Sequence, residues 1–256
     1  MIGTENQFIL NYSLHQKSTE SEFLIEHLAQ LGSKPQAVVG DAAFGSEENY
    51  AYLEQQGIKN YLKYTHFFQE SKRSFKKKIF NKQNFPYDPQ NDVFMCPNER
   101  ELRFVEEKTS FNVRGFSSRA RIYKSESCVG CQMAKLCKKG KGPRQIQISP
   151  RFEYFKQQAK DHLNSELGIK LRKQRNTDVE TVFGDIKQNL KFTRFNLRGL
   201  KSVKTEFGLV AMAHNFRKLN RLMGGSPWVI SLFSLFSYLK NSKIFFFLTG
   251  MKKGTV

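Results

Sequence analysis

An α/β fold with a cysteine-containing insertion, followed by a helical region, is predicted by three observations on this 256-residue chain. Short β-forming runs alternate with helical periodicity over residues 1–64. A polar, turn-rich stretch over 65–150 then carries all four cysteines. Past Pro150 the apolar residues recur at helical spacing for about 70 positions.

The elements follow in order. Residues 6–14 (NQFILNYSL) mix β-formers with polar residues and read as a strand. Over 21–31, Phe23, Leu24, Ile25, Leu28 and Leu31 keep helical spacing, with Gly32 as the stop. The run Ala37-Val38-Val39-Gly40 reads as a short buried strand and leads into Asp41. Ser46 is then the N-cap of a helix whose first turn holds Glu47 and Glu48, where the dipole favours acids. That helix ends at Gly57, and Ile58 to Tyr64 reads as a further strand. Strand, helix, strand, helix, strand implies a partly parallel sheet. The later helical region, 151–222, has expected breaks near Gly168 and Gly199, and 223–256 forms an apolar and basic tail.

Composition narrows the function. Lys and Arg number 42 against 23 Asp and Glu, a formal charge of +19, which excludes an acidic ion buffer and calls for a polyanionic partner. Nucleic acid comes first and an anionic membrane surface second. With 39% hydrophobic residues, 24 of them Phe, global disorder is excluded. Four cysteines are too few for a disulfide scaffold, and no cleavable leader opens the sequence, which suits an intracellular protein with reduced thiols. The apolar run Trp228–Leu239 is broken by Lys240, Asn241 and Lys243 before Ile244–Leu248, so neither half approaches the ~20 residues of a membrane span.

Asp41 is the first candidate for chemistry. A carboxylate at the carboxyl end of a parallel strand faces the crevice where α/β sheets bind ligands; the alternative is a loop Asp capping the next turn. The second candidate lies in LRKQRNTDVETVFGDIKQNL (171–190). At 100° per residue from Val179, the apolar Val182, Phe183, Ile186 and Leu190 fall within about 60°, which predicts the buried stripe. Glu180 and Lys187, about 100° and 80° round, share one edge of it; Asp178 and Asp185 lie on the other flank. Glu180 is therefore the better candidate acid, against the plainer reading of a solvated helix edge with a Glu/Lys pair.

Cys96, Cys128, Cys131 and Cys137 form the pattern C-x31-C-x2-C-x5-C. Two thiolates from the CxxC turn and two further cysteines suit a tetrahedral structural Zn²⁺ site; buried free thiols and a redox pair are the alternatives. Basic residues at 72–78 and 138–144, and then Lys191, Arg194, Arg198, Lys201 and Lys204, interleave with Phe75, Phe80, Phe192 and Phe195 and suit phosphate contact. His214, on an apolar helix, reads as a packed histidine.

VVGDAAFGSEENYAYLEQQGI (38–58), the cysteine block and RKQRNTDVETVFGDIKQNLKFTRFNLRGLKSVKTEFGLVAMAHNFRKLNRL (172–222) closely resemble the carboxy-terminal part of DDE transposases of bacterial insertion sequences, specifically the IS1182-like group. The resemblance covers roughly residues 7–222. It implies an incomplete ribonuclease-H-like core, metal-dependent cutting and joining of DNA at insertion-sequence ends, and Mg²⁺ or Mn²⁺ as cofactor. Asp41 matches the family's second acid and Glu180 its third, while Lys187 stands like the DNA-contacting lysine of the Y-R-E-K signature. That signature's Arg falls at Asn176, with Arg175 one position earlier, and its Tyr falls at Lys173. The family's first Asp and first strand lie upstream of the point matching residue 7, so this chain alone is expected not to transpose. Expected DNA contacts are Lys187, Arg175, Lys191, Arg194 and Arg198, with insertion-sequence ends as partner, a homodimer as candidate assembly, no membrane, and a cytoplasmic, nucleoid-associated location. The rival classes are a non-catalytic, zinc-stabilised nucleic-acid-binding protein and a nuclease without strand transfer.

Overall fold

A computed structural model describes residues 1–4, 6–16 and 21–224, so the tail beyond 224 lies outside the described residues. A 3₁₀ turn, Ser21–Phe23, leads into α1 (Leu24–Ala29) and then β1 (Ala37–Gly40). Helix α2 (Glu47–Gln55) starts at Ser46, whose Oγ accepts from the Asn49 N–H at 3.3 Å, and returns the chain to β2 (Lys59–Leu62). β2 pairs with β1 in parallel, Val38 beside Asn60 and Gly40 beside Leu62. Leu53 and Leu62 are completely buried and pack with Leu24, Leu28, Tyr50, Phe155 and Ala159 into the main core. Each such side chain stabilises the fold by ~1.5–3 kcal/mol.

Residues 65–150 hold α3 (Arg73–Lys76), β3 (Tyr87–Asp88), β4 (Val93–Met95), β5 (Glu101–Phe111), β6 (Ser117–Ser125), α4 (Ala134–Cys137) and β7 (Gln145–Ile148). The five strands form an antiparallel sheet in sequential order. Its own small core is Phe85, Leu102, Tyr123 and Ile146. At the β3–β4 turn, Asp92 accepts from Tyr87, Tyr123 and Arg121 at 2.9, 2.8 and 2.6 Å, which ties the turn to β6. The sheet is fastened to the first unit at α2, where Glu47 Oε2 accepts from the Ser149 hydroxyl at 3.0 Å and from that of Ser118.

Three helices follow: α5 (Pro150–Asn164), α6 (Glu166–Gly184), which runs on into a π-turn at Asp185–Asn189, and α7 (Leu200–Leu222). The first break falls at Ser165, three residues before the expected one. Ser165 leaves the helical conformation and its Oγ accepts from the Gly168 N–H at 3.0 Å. Gly168 serves the junction differently, because a Cβ there would sit 2.0 Å from the His162 carbonyl oxygen. The second break is at Gly199, whose φ of +82° suits glycine.

Two sequence-based expectations need correction. Residues 6–14 form no strand beyond one isolated bridge, Ile2 to Ile9. The side-chain amide of Asn215 takes the place of a strand partner, accepting from the Ile9 N–H at 2.9 Å and donating to its carbonyl at 3.0 Å. The buried face of α6 is also turned by about 80° from the expected stripe, toward the Asp178 and Asp185 flank. Asp178, Val182, Asp185 and Ile186 are buried, whereas Phe183 is 47% exposed. Polar partners explain the rotation. Gln7 Nε2 donates to Asp178 at 3.0 Å, and His214 Nδ1 lies 2.8 Å from Asp185.

Candidate functional site

The first candidate site is the carboxyl rim of the β1–β2 pair. Asp41 follows β1 and caps a 3₁₀ turn (Ala42–Phe44), its Oδ1 accepting from the Ala43 N–H at 3.2 Å. Its Oδ2 accepts from Arg175 on α6 at 3.1 Å, so Asp41 faces the helix that carries Glu180. Asp41 is thus at once a turn cap and a half-exposed carboxylate held by a cation. Because Gly40 is opposite Leu62 in register, Lys63 stands beside Asp41 at the end of β2, and its N–H donates to the Gly40 carbonyl at 3.3 Å. The loop after Asp41 lies tightly over this edge, since a Cβ on Gly45 would meet the Lys63 carbonyl oxygen at 2.2 Å. Burial lowers the Lys63 ammonium's pKa, with the Arg175 and Arg172 charges acting in the same sense and Asp41 against them.

Glu180 is exposed and forms no ion pair among the described residues. It is five positions beyond Arg175, about 140° further round the helix, and so lies on the side of α6 away from the contact with Asp41. Lys187 is exposed on the π-turn. The loop from Lys191 to Arg198 is exposed but well anchored. Glu206 accepts from the N–H groups of Asn196 and Leu197 at 2.9 and 3.0 Å, and Phe192 packs against Phe195 and Phe207 with ring centroids 5.3 and 6.4 Å away. Lys191, Arg194 and Arg198 are therefore displayed on a fixed loop, with Lys191 in a left-handed conformation at φ 56°.

The four cysteines come together. Cys96 follows β4, Cys128 and Cys131 lie beyond β6, and Cys137 ends α4; all four line one cavity of about 20 Å³ with Arg100 and Arg144. They are free thiols, partly exposed. Arg100 donates to the carbonyls of Ser127 and Val129 at 2.7 and 3.1 Å, fastening the CxxC turn, and the Arg144 N–H donates to Cys128 Sγ at 3.2 Å. Burial pushes Cys128 up, but hydrogen bonds from Ser125 and Arg144, with the Lys138 and Arg100 charges, outweigh it and leave its pKa lowered. Cys137 is pushed up by burial against Arg144, with Cys96, Cys128 and Cys131 adding to the rise.

Among the described residues no group of three or more His, Cys, Asp and Glu side chains is placed to hold a metal ion. Asp41 and Glu180 do not fit a two-metal shell, because the first is engaged by Arg175 and the second faces away from it. The cysteine cavity is better suited by chemistry, with four soft donors, no carboxylate and an N–H already on one sulfur.

The sequence reading passed over Lys63 and Arg172. Lys63 could have been found from the register of two parallel strands, which puts the residues after Gly40 and Leu62 side by side. His214 is fully buried between Asp185 and the Gln7 carbonyl, as expected of a packed histidine.

Residues 95–220 match the family model described as a transposase DDE domain. No curated protein and no solved structure matches the chain. The match supports a DDE transposase, a class that implies a ribonuclease-H-like fold, divalent-metal use and DNA as partner. It takes in the four cysteines, Glu180, Lys187 and the basic loop, while Asp41 lies outside it. Among the described residues no helix is long and apolar enough to cross a membrane.

Proposed function

We propose that this chain is the carboxy-terminal part of an IS1182-like transposase that binds insertion-sequence DNA, with Lys187, Arg175, Lys191, Arg194 and Arg198 on the phosphates. The observation that carries this reading is the basic loop Lys191 to Arg198, held in place by Glu206 and Phe192 within the matched transposase segment. This chain's own part is to hold DNA. Asp41 and Glu180 do not face a common ion, so the isolated chain is expected to bind DNA without transferring strands. The protein acts in the cytoplasm, at the nucleoid.

Cys96, Cys128, Cys131 and Cys137 would hold one structural Zn²⁺, which would close the insertion around its small core. The four-thiol cavity favours this over free thiols or a redox pair.

Mn²⁺ titration followed by electron paramagnetic resonance tests the carboxylate pair, with Asp41→Asn and Glu180→Gln as variants. Mn²⁺ binding unchanged in both variants is expected. Loss of the same bound Mn²⁺ in both would restore Asp41 and Glu180 as a metal site. Metal-dependent strand transfer by the isolated chain would refute the expected inactivity, and cleavage without joining would favour a nuclease.

A further inference from the structure

We infer that Lys63 and Arg172 form a DNA phosphate subsite beside Asp41, an inference that rests on the DNA-binding reading above. Lys63 comes from the end of β2 and Arg172 from α6, one turn before Arg175. Both lean on one aromatic pair. The Lys63 ammonium is 5.0 Å from the Phe68 ring centroid, and the Arg172 guanidinium is 5.3 Å from Phe67 and 5.6 Å from Phe68. The rings hold the side-chain stems in place while leaving their donors to a ligand.

Charge identifies the ligand. Lys63 and Arg175 stand at a single carboxylate, Asp41, which Arg175 already occupies at 3.1 Å, and Arg172 shares the Phe68 ring with Lys63. Neither Lys63 nor Arg172 makes an ion pair among the described residues. Arg172 Nε is buried against the aromatic pair without a hydrogen-bond partner, which fixes the stem and leaves the terminal amines as the donors for a ligand. Two unpaired cations at a strand-end crevice suit a phosphodiester oxygen, and a planar guanidinium beside a mobile ammonium can grip its two free oxygens together.

The test is fluorescence anisotropy of the full chain with a labelled duplex of about 20 base pairs in EDTA, between roughly 50 and 200 mM salt. Lys63→Gln and Arg172→Gln should each flatten the slope of log affinity against log salt by about 0.9, one phosphate contact apiece. Arg172→Lys should restore it, and Lys34→Gln, an exposed lysine remote from this rim, should leave it unchanged. If wild type shows the salt dependence and both variants behave like Lys34→Gln, this subsite is overturned while the DNA-binding reading stands. Should wild type show no salt-dependent binding, the DNA-binding reading itself fails and the subsite with it. Matching thermal unfolding of the variants shows that a lost slope is not lost fold.

Discussion

Replacing His214 should loosen the whole α6–α7 junction, and its cost can be worked out from its contacts. The imidazole is fully buried, with Nδ1 2.8 Å from Asp185 Oδ2 and Nε2 3.1 Å from the Gln7 carbonyl oxygen. Both neighbours are oxygen acceptors for the ring. Asp185 also accepts from Asn189 at 2.7 Å, and Arg217 and Arg221 stand at 3.7 and 4.0 Å. Burial pushes the Asp185 carboxyl up, but hydrogen bonds from Asn189 and His214, with the Arg217 charge, outweigh it and leave its pKa below the usual range. His214→Ala removes a charge-assisted bond worth ~1.5–3 kcal/mol and a neutral one worth ~1 kcal/mol, so about 3 kcal/mol in all. The remaining arginines compensate little because they stand at 3.7 and 4.0 Å from Asp185 and are 37% and 57% exposed. The measurement is a double-mutant cycle of His214→Ala with Asp185→Asn, by urea unfolding followed in far-UV circular dichroism. A coupling of ~1.5 kcal/mol or more is expected; one below ~0.5 kcal/mol would refute the pairing. A functional consequence should accompany it, since Asp185 starts the π-turn that carries Lys187.

Further outcomes follow from other contacts. Gly168→Ala should destabilise the chain by ~1–3 kcal/mol, because the new methyl would overlap the His162 carbonyl; unchanged urea unfolding would show that the α5–α6 junction yields freely. Asp92 has a lowered pKa, chiefly from the Tyr123 hydroxyl, with Arg121 and Tyr87 adding. Its stabilisation is therefore complete above the unfolded value of about 3.9 and is lost as pH falls through the lower folded value. Asp92→Asn should flatten that acid limb of the stability curve, and an identical limb in wild type and variant would exclude Asp92 as its source. Purified chain should carry one zinc per molecule by elemental analysis, and Cys131→Ser should release it and melt the insertion first; zinc retained by the variant would point to other ligands.

The local signals in the first 64 residues were legible because they are short-range. Ser46 caps α2 by its own hydroxyl, Gly40 ends β1, and the β1–β2 pairing needs no information beyond two short β-forming runs with a helix between them. The grouping of the cysteines was legible too, since a CxxC turn and two flanking thiols leave few ways to share a cavity. What escaped depends on partners remote in sequence. Ile9 has β-forming neighbours, yet its backbone bonds to the side chain of Asn215, 206 residues away.

The orientation of α6 carries the same lesson into the candidate site. Hydropathy alone turns Phe183 inward and the two aspartates outward, because an unpaired carboxylate is costly to bury. Gln7, Asn189, His214 and the arginines of α7 reduce that cost, and the helix rolls until Asp178 and Asp185 are covered and Phe183 is not. The same roll brings Arg175 onto Asp41 and carries Glu180 to the exposed side. The facing of the two carboxylates is thus decided by polar contacts at Gln7 and His214. A change that weakens those contacts should alter the Asp41–Arg175 pairing as well as stability. In His214→Ala, the salt bridge read by arginine side-chain NMR should lose its protection from exchange, whereas an unchanged Arg175 signal would separate the roll of α6 from the site it positions.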